Sequence, residues 1–123
     1  MKHRRGDAGS TELVMVLPIA FTMLLAVFQL GLWAHAQHRA EAIAERAMAA
    51  ARAHDATAGT GTRAGEEAAA QLKGGILHDP MVSVARGGGQ ARASVTGTTY
   101  GLIPGWTPAV RALRSGPVER LTP

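Results

Sequence analysis

The chain lacks cysteine, has few aromatic residues and contains a single long apolar run. Without cysteine, neither a disulfide framework nor a thiolate metal site can form. Two Phe, two Trp and one Tyr leave much of the 46% hydrophobic fraction to alanine, which buries little area per residue. These 123 residues therefore predict one membrane segment and one small domain outside it, without a large core.

Charge and motifs exclude several classes of function. The formal net charge is only +4, and from Arg39 onward the excess of basic residues is dispersed, which makes a poor surface for phosphate backbones and argues against nucleic acid as a partner. The chain carries no nucleophile elbow, paired acids or cofactor loop. We therefore expect no enzyme activity, no cofactor and no small-molecule substrate.

Two weaker signals for a ligand are also set aside. Gly87-Gly88-Gly89 precedes no Lys-Ser/Thr pair, as a phosphate-binding loop would require. His35 and His38 are three residues apart and would share a helix face, but no third ligand is fixed nearby. A hydrated histidine pair at the membrane interface is the expectation, and no metal site is predicted.

The long apolar run predicts a transmembrane helix over residues 13–36. Residues 13–33 carry no Asp, Glu, Lys or Arg, and at about 1.5 Å per residue a helix of this length crosses about 30 Å of hydrocarbon. Pro18 lies in the second turn, where a membrane helix tolerates it. Thr22 and Gln29 are its polar side chains, and they would bond a neighbouring helix, bond their own backbone or lie near a membrane interface.

The flanking residues predict the topology. Lys2, Arg4 and Arg5 are crowded before the apolar run, which favours a cytoplasmic N-terminus and an extracytoplasmic C-terminal region in the plasma membrane. Trp33 at the far end suits an interfacial anchor. The competing interpretation is a signal peptide cut after Ala36, which would release a small secreted binding module. Against it, the apolar run exceeds the roughly 7–15 residues of a signal-peptide core.

Glu12 stands immediately before the apolar run and has two explanations. A carboxylate in the first turn of a helix is stabilised by the helix dipole by about 0.3–1 kcal/mol. Alternatively, a charge at the membrane edge beside an uninterrupted apolar helix pairs with a positive group from another chain, such as an α-amino group. The residues alone leave both explanations open.

The stretch "RRGDAGSTELVMVLPIAFTMLLAVFQLG", followed by "AQHRAEAIAERAMAAARA", resembles type IV prepilin-like proteins. More narrowly, it resembles the TadE-like minor pseudopilins of tight-adherence (Flp) pilus systems. The later "SVARGGGQARASVTG" and "YGLIPGW" are similar, with less specificity, to the C-terminal region of actinobacterial members. The likeness implies a membrane protein whose partners are the lipid bilayer, other pilin-like subunits and a prepilin peptidase.

The resemblance also implies roles for single residues. In such proteins an aspartyl prepilin peptidase cuts after a glycine on the cytoplasmic side, and a glutamate then pairs with the new amino terminus of a neighbouring subunit. Carried over, Gly6 is the cut site, Asp7 the new terminus and Glu12 the pairing carboxylate. The family usually places the glutamate fifth after the cut, whereas Glu12 is sixth after Gly6 and third after Gly9. A cut between Gly9 and Ser10 is therefore an alternative, and an uncleaved single-pass envelope protein unrelated to pili is another.

The rest of the chain predicts an α+β fold behind the N-terminal transmembrane helix. Beyond a leader over residues 1–12 and the membrane segment, residues 37–57 have the period of an amphipathic, alanine-rich extension of the same helix. Its alanine face suits either close approach by another chain's helix or packing on the chain's own domain. Residues 58–80 are expected to form a glycine-rich linker, "DATAGTGTRAG", and a short helix, "EEAAAQLKGG".

The C-terminal part has a period of two. Residues 81–106 predict a β-hairpin region whose two strands join through Gly87-Gly88-Gly89. One face of the second strand would carry Ala91, Ala93, Val95 and Gly97. Residues 107–123 are expected to be a loosely ordered tail.

Overall fold

The computed structural model describes residues 2–72 and 75–119, with side chains from Gly9 onward. Helix α1 (Lys2–Arg52) is continuous from the leader through the apolar run to the alanine-rich extension, so Pro18 does not interrupt it. We divide it into an exposed half, residues 13–33, and a packed half, residues 34–52. The predicted extension of the membrane helix is thereby confirmed.

Helix α2 (Ala58–Gln71) runs back along the packed half of α1. It begins at a capping box, in which the Thr57 side chain accepts from the Thr60 N–H and the Thr60 hydroxyl accepts from the Thr57 N–H. Gly61 lies near Ala51, and the other end of α2 is held where Arg39 donates to the Leu72 carbonyl. The two helices therefore form an antiparallel pair.

The sequence-based prediction of a linker is wrong from Ala58 onward. Its glycines favour a break in helical structure, but packing requires two of them inside helix α2. A Cβ at Gly61 would lie 2.8 Å from the Ala47 carbonyl oxygen, and one at Gly65 would lie 2.6 Å from Val82 Cγ1. Close approach to α1 and to the neighbouring strand offsets the cost of glycine inside a helix.

Three antiparallel strands, β1 (His78–Gly87), β2 (Gln90–Thr98) and β3 (Ala109–Pro117), form a sheet in the order β1-β2-β3. The predicted hairpin corresponds to β1 and β2. Its turn has two residues, Gly88 and Gly89, rather than three, because Gly87 pairs with Gln90 in the ladder. Both turn glycines have positive φ, 60° and 77°, the conformation that a two-residue hairpin turn requires.

The third strand corrects the expectation of a loosely ordered tail over residues 107–123. Val110 and Ala112 face the core, and Arg111 between them is exposed, which is a period of two. Leu113 is half exposed on the outer face, so its apolar side chain hides this period in the sequence. Pairing with β2 along its whole length, from Thr98 opposite Ala109 to Gln90 opposite Pro117, secures the strand.

The core lies between the packed half of α1 and the sheet, with α2 covering the side next to β1. Its largest fully buried apolar side chains are Ile43, Val95 and Val110. The remaining buried α1 positions are all alanines: Ala36, Ala40, Ala44, Ala47 and Ala51. The alanine face therefore packs on the chain's own domain, which decides between the two roles that its sequence allowed.

Strand β3 rises along α1 in the same direction. Trp33 Nε1 donates to the Ala109 carbonyl at 3.1 Å, Gln37 Nε2 to the Arg111 carbonyl at 2.7 Å, and Arg52 Nε to the Pro117 carbonyl at 2.7 Å. This alignment determines which end of the sheet lies near the exposed half of α1 and which end lies near Arg52. The glycine turn lies at the end beside Arg52, and the β2–β3 loop lies at the end beside the exposed half of α1.

Candidate functional site

The exposed half of α1 presents large apolar side chains with nothing packed over most of them. From position 13 to position 30 the exposed large hydrophobic residues are 52–67% accessible. They are Leu13, Val14, Met15, Val16, Leu17, Ile19, Phe21, Met23, Leu24, Val27, Phe28 and Leu30. By length and composition, Gly9–Arg52 is a helix able to cross a membrane, and none of its most apolar window is buried. A core helix of a soluble protein would be mostly covered, so this exposure is consistent with membrane anchoring.

The candidate processing and pairing residues lie at the N-terminal end of that half. Gly6 and Asp7 belong to α1 by their backbone, but the Asp7 side chain lies outside the described residues. Gly9, Ser10 and Glu12 are exposed on the helix surface. The positions are thus arranged along one helix with Glu12 just before the apolar residues. Cleavage and pairing both stay predictions.

Thr22 bonds its own helix. Its hydroxyl donates to the Pro18 carbonyl at 2.7 Å, one turn earlier. This is the bond to the carbonyl four residues earlier that serine and threonine side chains commonly make inside helices. The carbonyl that loses its N–H partner to Pro18 is the one of Val14, four residues before the proline. Of the roles predicted for Thr22, the structure provides a bond to the chain's own backbone.

Gln29 is bound to the β2–β3 loop of the same chain. Its Nε2 donates to the Tyr100 carbonyl at 3.0 Å, and its Oε1 accepts from the Leu102 N–H at 2.8 Å. Both ends of the amide are therefore used, on backbone that lies more than seventy residues away in sequence. The sequence analysis predicted a polar contact for Gln29 without its partner, because no local pattern connects the helix to this loop.

The loop that Gln29 holds, residues 99–108, is apolar and sits against the exposed half of α1. Leu102, Ile103 and Trp106 line a groove together with α1 side chains, and its volume is about 630 Å³. On the α1 side the lining residues are Thr22, Leu25, Ala26, Gln29 and Leu30. The signal that could have indicated this arrangement is "YGLIPGW", an uncharged segment with two aromatic residues after a strand.

Among the described side chains, the histidines take no part in a multi-ligand site. His38 Nδ1 lies 3.7 Å from a Glu41 carboxylate oxygen, one turn on, and both groups are partly open to solvent. His35 is exposed on the same helix. Within the described part of the chain, no three His, Asp or Glu side chains gather as metal ligands would.

Ala36, the proposed signal-peptidase position, is fully buried within α1. It belongs to the core cluster that also contains Ala40 and Ile43. A product that began at the next residue would lose this core contact and the Trp33 bond to Ala109. The geometry thus disfavours the secreted module.

Comparison with known proteins finds one family whose model matches part of the chain. Residues 8–52 match the TadE-like protein family. The matched segment is nearly the whole of α1, including Glu12, the exposed half and the packed half, and it confirms the predicted TadE-like resemblance. No curated protein and no solved structure matches the chain.

The TadE-like match and the apolar helix together fit a membrane protein associated with tight-adherence (Tad) pili. The match ends at Arg52, so α2 and the sheet lie outside it. The exposed half of α1, which is a candidate membrane span, and the loop that Gln29 binds are therefore the candidate functional site.

Proposed function

We propose that the protein is a membrane-anchored TadE-like minor pseudopilin that takes part in assembly of a tight-adherence pilus or a related secretion apparatus. One observation carries the proposal: a single helix presents bare apolar side chains in one half and bears a small folded domain on the other. Such an anchor holds the domain at the membrane surface and leaves the exposed half of the helix free to contact other helices. Lateral assembly of subunits requires both.

The exposed half, not the alanine face, is the part of α1 available to other subunits. Ala40, Ala44 and Ala47 are fully covered by the chain's own domain. In lipid, helices associate through packing and a few polar contacts, because lipid tails are as apolar as leucine. Since Thr22 and Gln29 bond within the chain, the charge of Glu12 is the strongest polar feature left for a partner.

In this proposal Glu12 pairs with the α-amino group of a neighbouring subunit. It is exposed, and the described residues give its carboxylate no ion-pair partner. A charge at the membrane edge is costly when unpaired and gains most from a partner of opposite sign, because water no longer screens it fully. A prepilin peptidase that cuts after Gly6 or Gly9 would create the amine, with the N-terminal side in the cytoplasm.

The first test is the intact mass and N-terminal sequence of the membrane-extracted protein, with and without the prepilin peptidase. The proposal predicts a peptidase-dependent start at Asp7 or at Ser10. An uncut Met1 in both samples would instead indicate a plain single-pass anchor. A start at Gln37 would indicate a secreted product.

The second test addresses pairing. Glu12→Gln removes the charge and keeps the size, and His35→Gln, the control, alters an exposed polar position on the same helix outside the candidate processing and pairing residues. We expect Glu12→Gln to be processed normally but to lose co-purification with pilin-like subunits from detergent extracts, whereas His35→Gln retains both. Equal recovery of partners with both variants would remove the pairing role.

A further inference from the structure

We propose that the β2–β3 loop, residues 99–108, is a second membrane contact that inserts its apolar side chains into the lipid headgroup interface, with acyl chains filling the groove between the loop and α1. The inference rests on α1 spanning the bilayer, as the proposed function also requires, but not on any role in pilus assembly. The known family match does not reach this loop.

The composition of the loop suits lipid better than water. From Thr98 to Val110 the chain has no Asp, Glu, Lys, Arg or His. Four large side chains remain accessible in this stretch: Tyr100 (53%), Leu102 (39%), Ile103 (59%) and Trp106 (47%). Tryptophan and tyrosine concentrate at membrane interfaces, because their rings are apolar and their N–H and O–H groups reach water or headgroups.

The position of the loop along α1 places it at the membrane surface. Gln29, which holds the loop, precedes Trp33 by about one helical turn, or about 6 Å along the axis. Trp33 itself donates to Ala109, at the start of the strand that leaves the loop. The loop is therefore level with the last turn of the apolar run, where an aromatic anchor is expected.

Several backbone N–H groups of the loop donate to partners within the chain and therefore do not need water. The Thr99 N–H donates to the Pro108 carbonyl at 3.0 Å, and the Trp106 N–H to the Ile103 carbonyl at 3.1 Å. The Leu102 N–H is held by Gln29, and Pro104 and Pro108 carry no N–H at all. An unpaired backbone group in a membrane costs several kcal/mol, so these internal bonds lower the cost of moving the loop out of water.

Lipid is the occupant that best fits the groove. Its α1 wall, which includes Leu25, Ala26 and Leu30, is continuous with the apolar surface that the bilayer must cover if α1 spans it. Acyl chains that surround that surface could therefore enter the groove directly, because the apolar surface of α1 continues into it. The competing occupant is an apolar helix of another subunit, and the experiment below separates the two.

The experiment places a spin label at single introduced cysteines, which is practical because the chain has none of its own. Ile103→Cys reports the loop, and Leu113→Cys, which is 50% exposed on the outer face of β3, is the matched control farther from the membrane. Val27→Cys reports the exposed half of α1. The full chain is reconstituted in phosphatidylcholine–phosphatidylglycerol vesicles, and the accessibility of each label to oxygen and to a water-soluble nickel chelate is compared.

We expect the ratio of oxygen to nickel accessibility at Ile103→Cys to lie several-fold above that at Leu113→Cys, and nearer to that at Val27→Cys. Equal ratios at Ile103→Cys and Leu113→Cys, with Val27→Cys still in lipid, would overturn the loop contact and leave the membrane anchor intact. A water-exposed Val27→Cys would overturn both. A label at Ile103→Cys shielded from both reagents would indicate a protein helix in the groove and overturn the lipid assignment.

A second measurement needs no cysteine. The chain contains only Trp33 and Trp106, so Trp33→Phe leaves Trp106 as the one tryptophan. Its fluorescence should be quenched by lipids brominated near the headgroup and little by aqueous acrylamide. Strong acrylamide quenching with no effect of brominated lipid would contradict the proposal.

Discussion

The two halves of α1 differ in which side chains they expose. In residues 13–33 the large aliphatic and aromatic side chains point outward and stay more than half accessible at most positions. In residues 34–52 the buried positions are five alanines and Ile43, covered by α2 and the sheet. One helix thus leaves its most hydrophobic surface bare and buries its least bulky surface.

This difference separates two sources of stability. Small side chains let α2 and the strands approach the packed half closely, so that half gains from dispersion contacts and from excluding water. Apart from the stretch beside the β2–β3 loop, most large side chains of the exposed half have no described part of the chain packed over them, so their free energy depends on the solvent around them. A substitution that lowers the free energy of unfolding of the domain when made in the packed half should therefore change it very little when made in the exposed half.

The largest expected effect comes from the same substitution made in each half. Ile43→Ala removes a fully buried side chain and should lower the free energy of unfolding by about 2–5 kcal/mol. Ile19→Ala, at a position 62% exposed, should change it by less than about 0.5 kcal/mol. Guanidinium unfolding of the full chain in detergent micelles, followed by tryptophan fluorescence, measures both. Equal losses would mean that the two halves are not distinct.

The next effect concerns how closely the helices approach. Gly61→Ala places a methyl group 2.7 Å from Ala51 Cβ and 2.8 Å from the Ala47 carbonyl oxygen, so the helices must move apart, at a cost of about 1–3 kcal/mol. The control is Gly59→Ala, where the nearest atom is the Thr57 hydroxyl oxygen at 3.5 Å. That variant should gain about 0.5–1 kcal/mol from the better helix propensity of alanine. The same micelle unfolding assay applies, and stabilisation by Gly61→Ala would refute the packing argument.

A smaller, local effect is expected where the exposed half meets the domain. Gln29→Leu removes two hydrogen bonds to the β2–β3 loop, each worth about 0.5–1.5 kcal/mol. Amide exchange at Leu102, read by mass spectrometry or NMR in micelles, should accelerate about tenfold or more. Thr22→Val loses only a bond within its own helix and should leave that amide unchanged. Acceleration in both variants would point to general loosening of α1.

The smallest effect belongs to the outer surface of the packed half. Arg114 Nη2 lies 3.6 Å from Glu41 and Nε lies 3.5 Å from Glu45, and these groups are about one-third to two-thirds exposed. Arg114→Gln should cost about 0.2–1 kcal/mol at low salt, and the difference from the unmodified chain should shrink as salt is added. Denaturation at two salt concentrations tests this, and a cost above Ile43→Ala would invert the ranking.

Hydropathy and charge patterns among residues close in sequence were enough to predict much of the fold. The uncharged run predicted the membrane helix, the 3.6-residue period predicted its extension, and the alternation around the triple glycine predicted the hairpin. The patterns failed where a neighbour decided the outcome. Gly61 and Gly65 resemble helix breakers until the close contact with α1 explains them, and β3 resembles a tail because Leu113 faces outward.

The residues of the candidate site also fall into those that sequence patterns could identify and those that they could not. Glu12 and the glycines near it could be singled out because a charge beside an apolar run, and the TadE-like resemblance, are properties of consecutive residues. The partner of Gln29 could not, since it is backbone brought from the far end of the chain by the sheet.

The sequence by itself determined that this protein has one long apolar helix with a carboxylate just before its apolar run, because hydropathy and charge are properties of each residue wherever the chain folds. Only the tertiary structure decided that the alanine face is covered by the chain's own domain and that an apolar loop lies against α1 beside Gln29. Both outcomes depend on contacts between distant segments, and such contacts form only when α2 and the three strands pack together on the helix.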